Sequence, residues 1–178
     1  TWPENVHIFT GGLESVVIEN LNCRVYGAGY RSMDCDGLLD GFHVQGEENC
    51  HIAVLHGDPT QKSAPYCPIT ESQVRKSGLD YLALGHIHKG GSFRAGGTVC
   101  AWPGCPMGRG YDELDEKGAL IVTIDESVRT SFVALETPRF YRLSVVAGYD
   151  AIAALDSVLP AVGNHDFYQI ELTGESAG

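Results

Sequence analysis

Apolar and polar positions along this chain come in short runs, most of strand length, broken by glycine, proline, asparagine and aspartate. Val6–Thr10 reads as a strand. Ser15–Glu19 and Cys23–Tyr26 read as a hairpin turned at Asn20-Leu21-Asn22, and the chain leaves that sheet at Gly27–Tyr30. Residues 31–50 are rich in Gly, Asp and Glu, with one helical turn expected over Gly37–Phe42. His51–Leu55 is β-branched and apolar enough for a buried strand. Asp58–Pro68 carries three prolines and reads as a long loop. Thr70–Ser77 has helical character, with Thr70 as N-cap and Gly78 as the stop. Tyr81–Leu84 is a second buried strand. Glycine pairs at 90–91 and 96–97 bracket a short strand at Ser92–Arg94, and Thr98–Trp102 is another, ending at Pro103. A loop over 103–117 precedes a hairpin of Gly118–Asp125 and Arg129–Leu135, turned at Glu126-Ser127-Val128. Thr137-Pro138 marks a boundary. Beyond it the pattern is strand, helix, strand: Phe140–Val146, Asp150–Leu159 and Phe167–Leu172. No internal repeat is visible.

Two of the buried runs end in the same way. Leu82-Ala83-Leu84-Gly85 is followed by His86-Ile87-His88, and Ile52-Ala53-Val54-Leu55 by His56-Gly57. Residues i and i+2 of an extended chain point to one side. His86 and His88 can therefore converge just past the carboxyl end of a strand, where open α/β sheets place their ligands. Imidazole is the commonest nitrogen ligand for divalent transition metals. Two surface-loop histidines are the bland alternative for the pair, and a capping role for His56 alone. The shared strand–histidine–glycine construction favours one metal site holding all three.

Leu55-His56-Gly57, followed some thirty residues on by Gly85-His86-Ile87-His88, resembles the last two motifs of the calcineurin-like metallophosphoesterases. The stretch from Trp102 to Gly118, with Pro103-Gly104-Cys105-Pro106-Met107-Gly108-Arg109-Gly110 and Glu116-Lys117-Gly118, is similar to the SbcD-type DNA repair exonucleases and their YhaO-like bacterial members. The likeness runs from Val6 to Thr173. It implies an α/β fold: part of a metallophosphoesterase β-sandwich flanked by helices over 1–136, then the start of a small α+β accessory (capping) segment over 137–178. It also implies two divalent metal ions, Mn²⁺ by family habit, with His56 and His86 on one and His88 on the other. The family's Asp-x-His, Gly-Asp and Gly-Asn-His-Asp motifs precede the first histidine, and none stands upstream of His56 here. The chain is therefore expected to be a carboxyl-terminal fragment holding no catalytic residue of its own, with the bridging carboxylate, an Asn ligand and the histidine that assists the leaving group on a missing amino-terminal part. Gly57-Asp58 and Gly163-Asn164-His165-Asp166 spell family motifs out of order. Both are read as turns of ordinary composition.

Charge complicates a nucleic-acid role. The formal net charge is −11, with twelve Lys and Arg in all, and phosphate contacts draw on those residues. A broad basic patch is not expected, but a metal-centred enzyme needs less, because its cations hold the phosphate. Lys89, Arg94 and Arg109 are the local substrate-binding candidates, each equally readable as solvated surface charge. In the 103–117 loop, Asp112, Glu113, Asp115 and Glu116 either wall a substrate groove or simply face water. The six cysteines form no C-x-x-C pair, so a zinc knuckle is not expected, and reduced thiols in a cytoplasm fit best. No apolar run is long enough to span a bilayer.

The leading expectation is a metal-dependent DNA phosphodiesterase subunit, possible as a homodimer, whose partners are DNA and an SbcC-like ATPase. A phosphoesterase for nucleotides or other small phosphoesters is the second reading, favoured by the acidity. An inactive binding or scaffold piece is the third.

Overall fold

In the computed structural model, residues 2–29, 37–60, 66–148, 150–159 and 165–174 are described. The elements are β1 (Glu14–Ile18), a 3₁₀ turn (Glu19–Leu21), β2 (Cys23–Gly27), β3 (Cys50–His56), α1 (Glu71–Ser77), β4 (Tyr81–Gly85), β5 (Lys89–Ala95), β6 (Thr98–Gly104), β7 (Gly118–Ile124), β8 (Val128–Ala134), β9 (Phe140–Val146), α2 (Ala151–Val158) and β10 (Phe167–Thr173). This is a mixed α/β chain, mostly strand. It falls into two compact units: Thr1–Gly104 with Leu120–Phe132, and Cys105–Ala119 with Val133–Gly178.

The first unit is built on a six-stranded sheet in the order β1-β2-β3-β4-β6-β5. The inner strands β2, β3, β4 and β6 run parallel, and the edge strands β1 and β5 run antiparallel to their neighbours. Parallel strands bury both faces, and the two faces here have separate cores. On one, Ala53, Leu55, Leu82, Leu84, Cys100 and Trp102 pack with Leu39, Ile69, Val74 and Leu79. On the other, Tyr81, Val99 and Ala101 lie under Leu120, Val122, Ile124 and Val128 of the β7–β8 hairpin. The two sets alternate along β3, β4 and β6 as the pleat requires.

α1 forms where the pattern places it, because its ends are locally satisfied. Thr70 and Gln73 make a reciprocal capping box, and Gly78 ends the helix at φ +78°. Its buried residue Val74 has no exposed surface.

Two expectations fail. Val6–Thr10 forms no strand. Apolar, strand-like composition alone does not make one, since a strand exists through its ladder partner, and the backbone bond found there, Val6 N–H to the Pro3 carbonyl, closes a turn. β5 begins at Lys89 rather than Ser92, so Gly90 and Gly91 lie inside it instead of breaking it. The cause is Trp102 on β6, whose indole lies across β5. A Cβ on Gly91 would come within 2.5 Å of that ring, and the indole N–H donates to the Lys89 carbonyl at 2.9 Å.

The second unit holds a parallel β9–β10 pair joined through α2. Phe140 stacks on Phe167 and Tyr141 on Tyr168, with ring centroids 4.8 and 5.2 Å apart. Tyr111 meets Phe140 edge-on, and Arg139 pairs with Glu116 at 2.8 Å, tying the 105–117 loop to the start of β9. Among the described residues no helix is long and apolar enough to cross a membrane.

Candidate metal centre

β3 and β4 are parallel and in register, with His56 directly opposite Gly85. Their carboxyl ends therefore finish level. His56 closes β3, and His86 follows the last residue of β4. Only three residues, His86 to His88, join β4 to β5. That turn forces His86 to φ +104°, a region few non-glycine residues occupy. Backbone held there costs about 1–3 kcal/mol and is typical of positions where geometry serves a site.

The consequence is a close imidazole pair. His56 Nε2 lies 3.1 Å from His86 Nδ1, with ring centroids 5.0 Å apart and planes at 76°. Gly85 makes this possible, because a Cβ there would stand 3.3 Å from His56 Nδ1 and press on the ring. His56 is held below the ordinary imidazole pKa, first by burial and then by the charges of His86 and His88. It is thus kept neutral with a lone pair to give, the form in which imidazole binds metal. His88 is within electrostatic reach of His56. The donor set fits a divalent cation: two nitrogens about 2.1 Å from a common ion stand roughly 3.0–3.4 Å apart between right-angle and tetrahedral geometry, and the observed separation lies in that range.

Tyr66 is a feature the sequence did not single out. Its ring lies 5.6 Å from that of His86, tilted by 34°, with 39% of its surface open. The chain around it is fixed by an Asp58–Pro68 bridge, with Asp58 N–H donating to the Cys67 carbonyl and Ile69 N–H to the Asp58 carbonyl. The readable signal was an aromatic residue in a proline-flanked loop, Pro65-Tyr66-Cys67-Pro68.

Asp58 itself is buried, and its Oδ1 accepts from Thr60 N–H at 2.7 Å and Thr60 O–H at 2.6 Å. Gly57-Asp58 is thus an Asx-type turn. Lys89, the first residue of β5, is exposed and follows His88 directly. Arg94 sits at the far end of that strand, roughly 17 Å further on by strand rise, and donates to the carbonyls of Gly97 and Val128. Arg109 belongs to the second unit. There the Glu113 carboxylate accepts its backbone N–H at 2.9 Å and lies 3.9 Å from its guanidinium. His165 is exposed just ahead of β10, and the Asp166 carboxylate accepts the Arg139 backbone N–H at 2.7 Å. Asn164 lies outside the described residues.

A mixed α/β unit with paired imidazoles at the carboxyl ends of its parallel strands defines a class: α/β proteins suited to binding metal at a sheet edge. The chain is similar to a protein of Bacillus subtilis (strain 168) described as "Uncharacterized metallophosphoesterase YhaO", 33% identical over 130 residues that cover 69% of this chain. This likeness supports the metallophosphoesterase superfamily. The aligned residues make up 32% of the relative, so the chain spans about a third of its length. No family model matches the chain.

Proposed function

We propose that this chain carries the histidine half of a dinuclear phosphodiester hydrolase of SbcD type. The observation that carries the reading is the 3.1 Å approach of His56 Nε2 to His86 Nδ1. His56 and His86 hold one divalent ion and His88 the other, with Mn²⁺ as the working ion. Bound cations supply charge withdrawal from the phosphodiester and make water a nucleophile at neutral pH. The chain's own residues do the positioning. β3 and β4 fix the two imidazoles, the three-residue turn aims His86, Lys89 offers a cation to the phosphate, and Tyr66 presents an aromatic wall beside His86. Three imidazoles give at most two ligands to either ion, so the remaining positions fall to groups outside this set. In this reading residues 1–136 are part of a β-sandwich core and 137–178 the start of a capping segment. The intact protein works in a cytoplasm on DNA with an SbcC-like ATPase.

A second substrate reading has an observation in its favour. The net charge of −11 repels a polyanion and suits nucleotides or small phosphoesters. Hydrolysis of linear duplex DNA and of a small aryl phosphodiester, by the intact protein with Mn²⁺, separates the two. Activity on both, lost in His56→Ala and His86→Ala, supports the DNA reading. Activity on the small diester alone supports the second. Activity on either that survives both substitutions overturns the site.

A further inference from the structure

Cys23 and Cys50 are the first residues of β2 and β3 and stand directly opposite each other in the parallel register. The residues just before them are tied as well, Asn49 N–H donating to the Asn22 carbonyl at 3.1 Å. Both cysteines are free, Cys23 buried and Cys50 half-buried, and the Cys23 thiol is close enough to act on the titration of Cys50. Neighbouring strands run about 4.8 Å apart, inside the Cα span of about 4.4–6.8 Å that a disulfide bridges.

We propose that Cys23 and Cys50 are a reversible oxidation site, which a hydroperoxide converts to a cross-strand disulfide. The half-buried Cys50 sulfur attacks the terminal peroxide oxygen. The O–O bond breaks, the alcohol leaves with the thiol proton, and Cys50 becomes a sulfenic acid. The Cys23 sulfur then displaces the hydroxyl, its own proton goes to the departing water, and the S–S bond closes. Two electrons pass from the thiol pair to the peroxide.

Burial, with the Cys23 thiol and Asp80 adding to it, pushes the Cys50 thiol up to about 12. Thiolate is scarce near neutrality, so the reaction is slow and quickens with pH. The site lies at the amino end of β3, whereas His56 closes the carboxyl end, roughly 20 Å away by strand rise. Oxidation therefore staples the sheet without touching the histidines.

The test treats the intact protein with excess tert-butyl hydroperoxide at mildly alkaline pH, then maps its peptides without reduction. The expected product is a Cys23–Cys50 linked peptide, lighter by two hydrogens and restored by dithiothreitol. It should be absent from Cys23→Ser and Cys50→Ser and present in Cys100→Ser. The oxidised wild type should melt roughly 5–10 °C higher than the reduced form. That shift needs no variant, so it stands even where a substitution fails to fold. A linkage between other cysteines, a Cys50 that stops at sulfinic acid, or no midpoint shift in a cross-linked sample overturns the proposal.

Discussion

β3 carries a histidine at each end, and the two are treated in opposite ways. His51, near the amino end, is buried. Its Nδ1 lies 3.4 Å from the Tyr26 hydroxyl, which in turn donates to the Gln45 carbonyl and accepts the Gln45 N–H, both at 2.8 Å. Its backbone N–H donates to Asp80 at 2.8 Å. Arg24 and Glu48 close the same end with a two-point ion pair. His56, five positions on, is open to solvent on one side and desolvated on the other, faces a second imidazole and adjoins a strained turn. A polar group whose every bond is met inside the protein holds the fold together. His56 instead meets another imidazole nitrogen at the open end of the strand, 3.1 Å away, in a contact that an incoming ligand can exchange. Residue type does not distinguish these histidines. Their position along parallel strands does, because ligands collect at the carboxyl ends.

The sharpest way to break this contrast is to exchange the losses. His86→Ala should reduce Mn²⁺-dependent phosphodiester hydrolysis by at least about 100-fold, since even groups that merely support metal ligands cost 10–100-fold. Its thermal midpoint should barely move, as the ring lies at the sheet edge. His51→Ala should do the reverse, costing about 1–3 kcal/mol in urea unfolding because the Tyr26 network loses a partner, while metal affinity holds. Matching phenotypes would dissolve the comparison. Gly85→Ala should be milder than ligand loss. The added methyl stands 3.3 Å from His56 Nδ1, and titration should show Mn²⁺ affinity down by roughly tenfold, the size of a supporting-shell change.

A pH series sharpens it further. His56 has its folded pKa below the ordinary imidazole value, chiefly through burial. The unfolded chain therefore binds the proton more readily. Stability is fully present above about pH 6.5 and declines as pH falls from there toward the folded value. In metal-free protein the urea midpoint should drop over that window, and His56→Ala should flatten the drop. A midpoint that rises on acidification would contradict the assigned direction. The smallest effect belongs to His165→Ala, which should leave turnover within about twofold, as surface substitutions do.

Much of this was legible in the chain because the signals are local. The capping box of Thr70 and Gln73, the stop at Gly78 and the Asn20–Asn22 hairpin turn each settle within a few residues. The strand–histidine–glycine repeats pointed to the sheet edge on the same local grounds. The misses are non-local. Val6–Thr10 has strand-like composition without a ladder partner. The glycines of β5 look like a break until the Trp102 ring from another strand fills the space above Gly91. Tyr66 could not be matched to His86 by spacing, since a bridge between Asp58 and Pro68 brings them together. The 3.1 Å imidazole contact depends on the register of β3 against β4, which no sequence pattern states.

The central claim is that His56 Nε2 and His86 Nδ1 face one divalent cation. A crystal structure of the intact protein grown with Mn²⁺, with anomalous scattering recorded for the metal, addresses it most directly. An anomalous peak is expected within about 2.3 Å of both nitrogens. A peak bound by other residues, or a metal-free His56–His86 hydrogen bond persisting at saturating Mn²⁺, would contradict it.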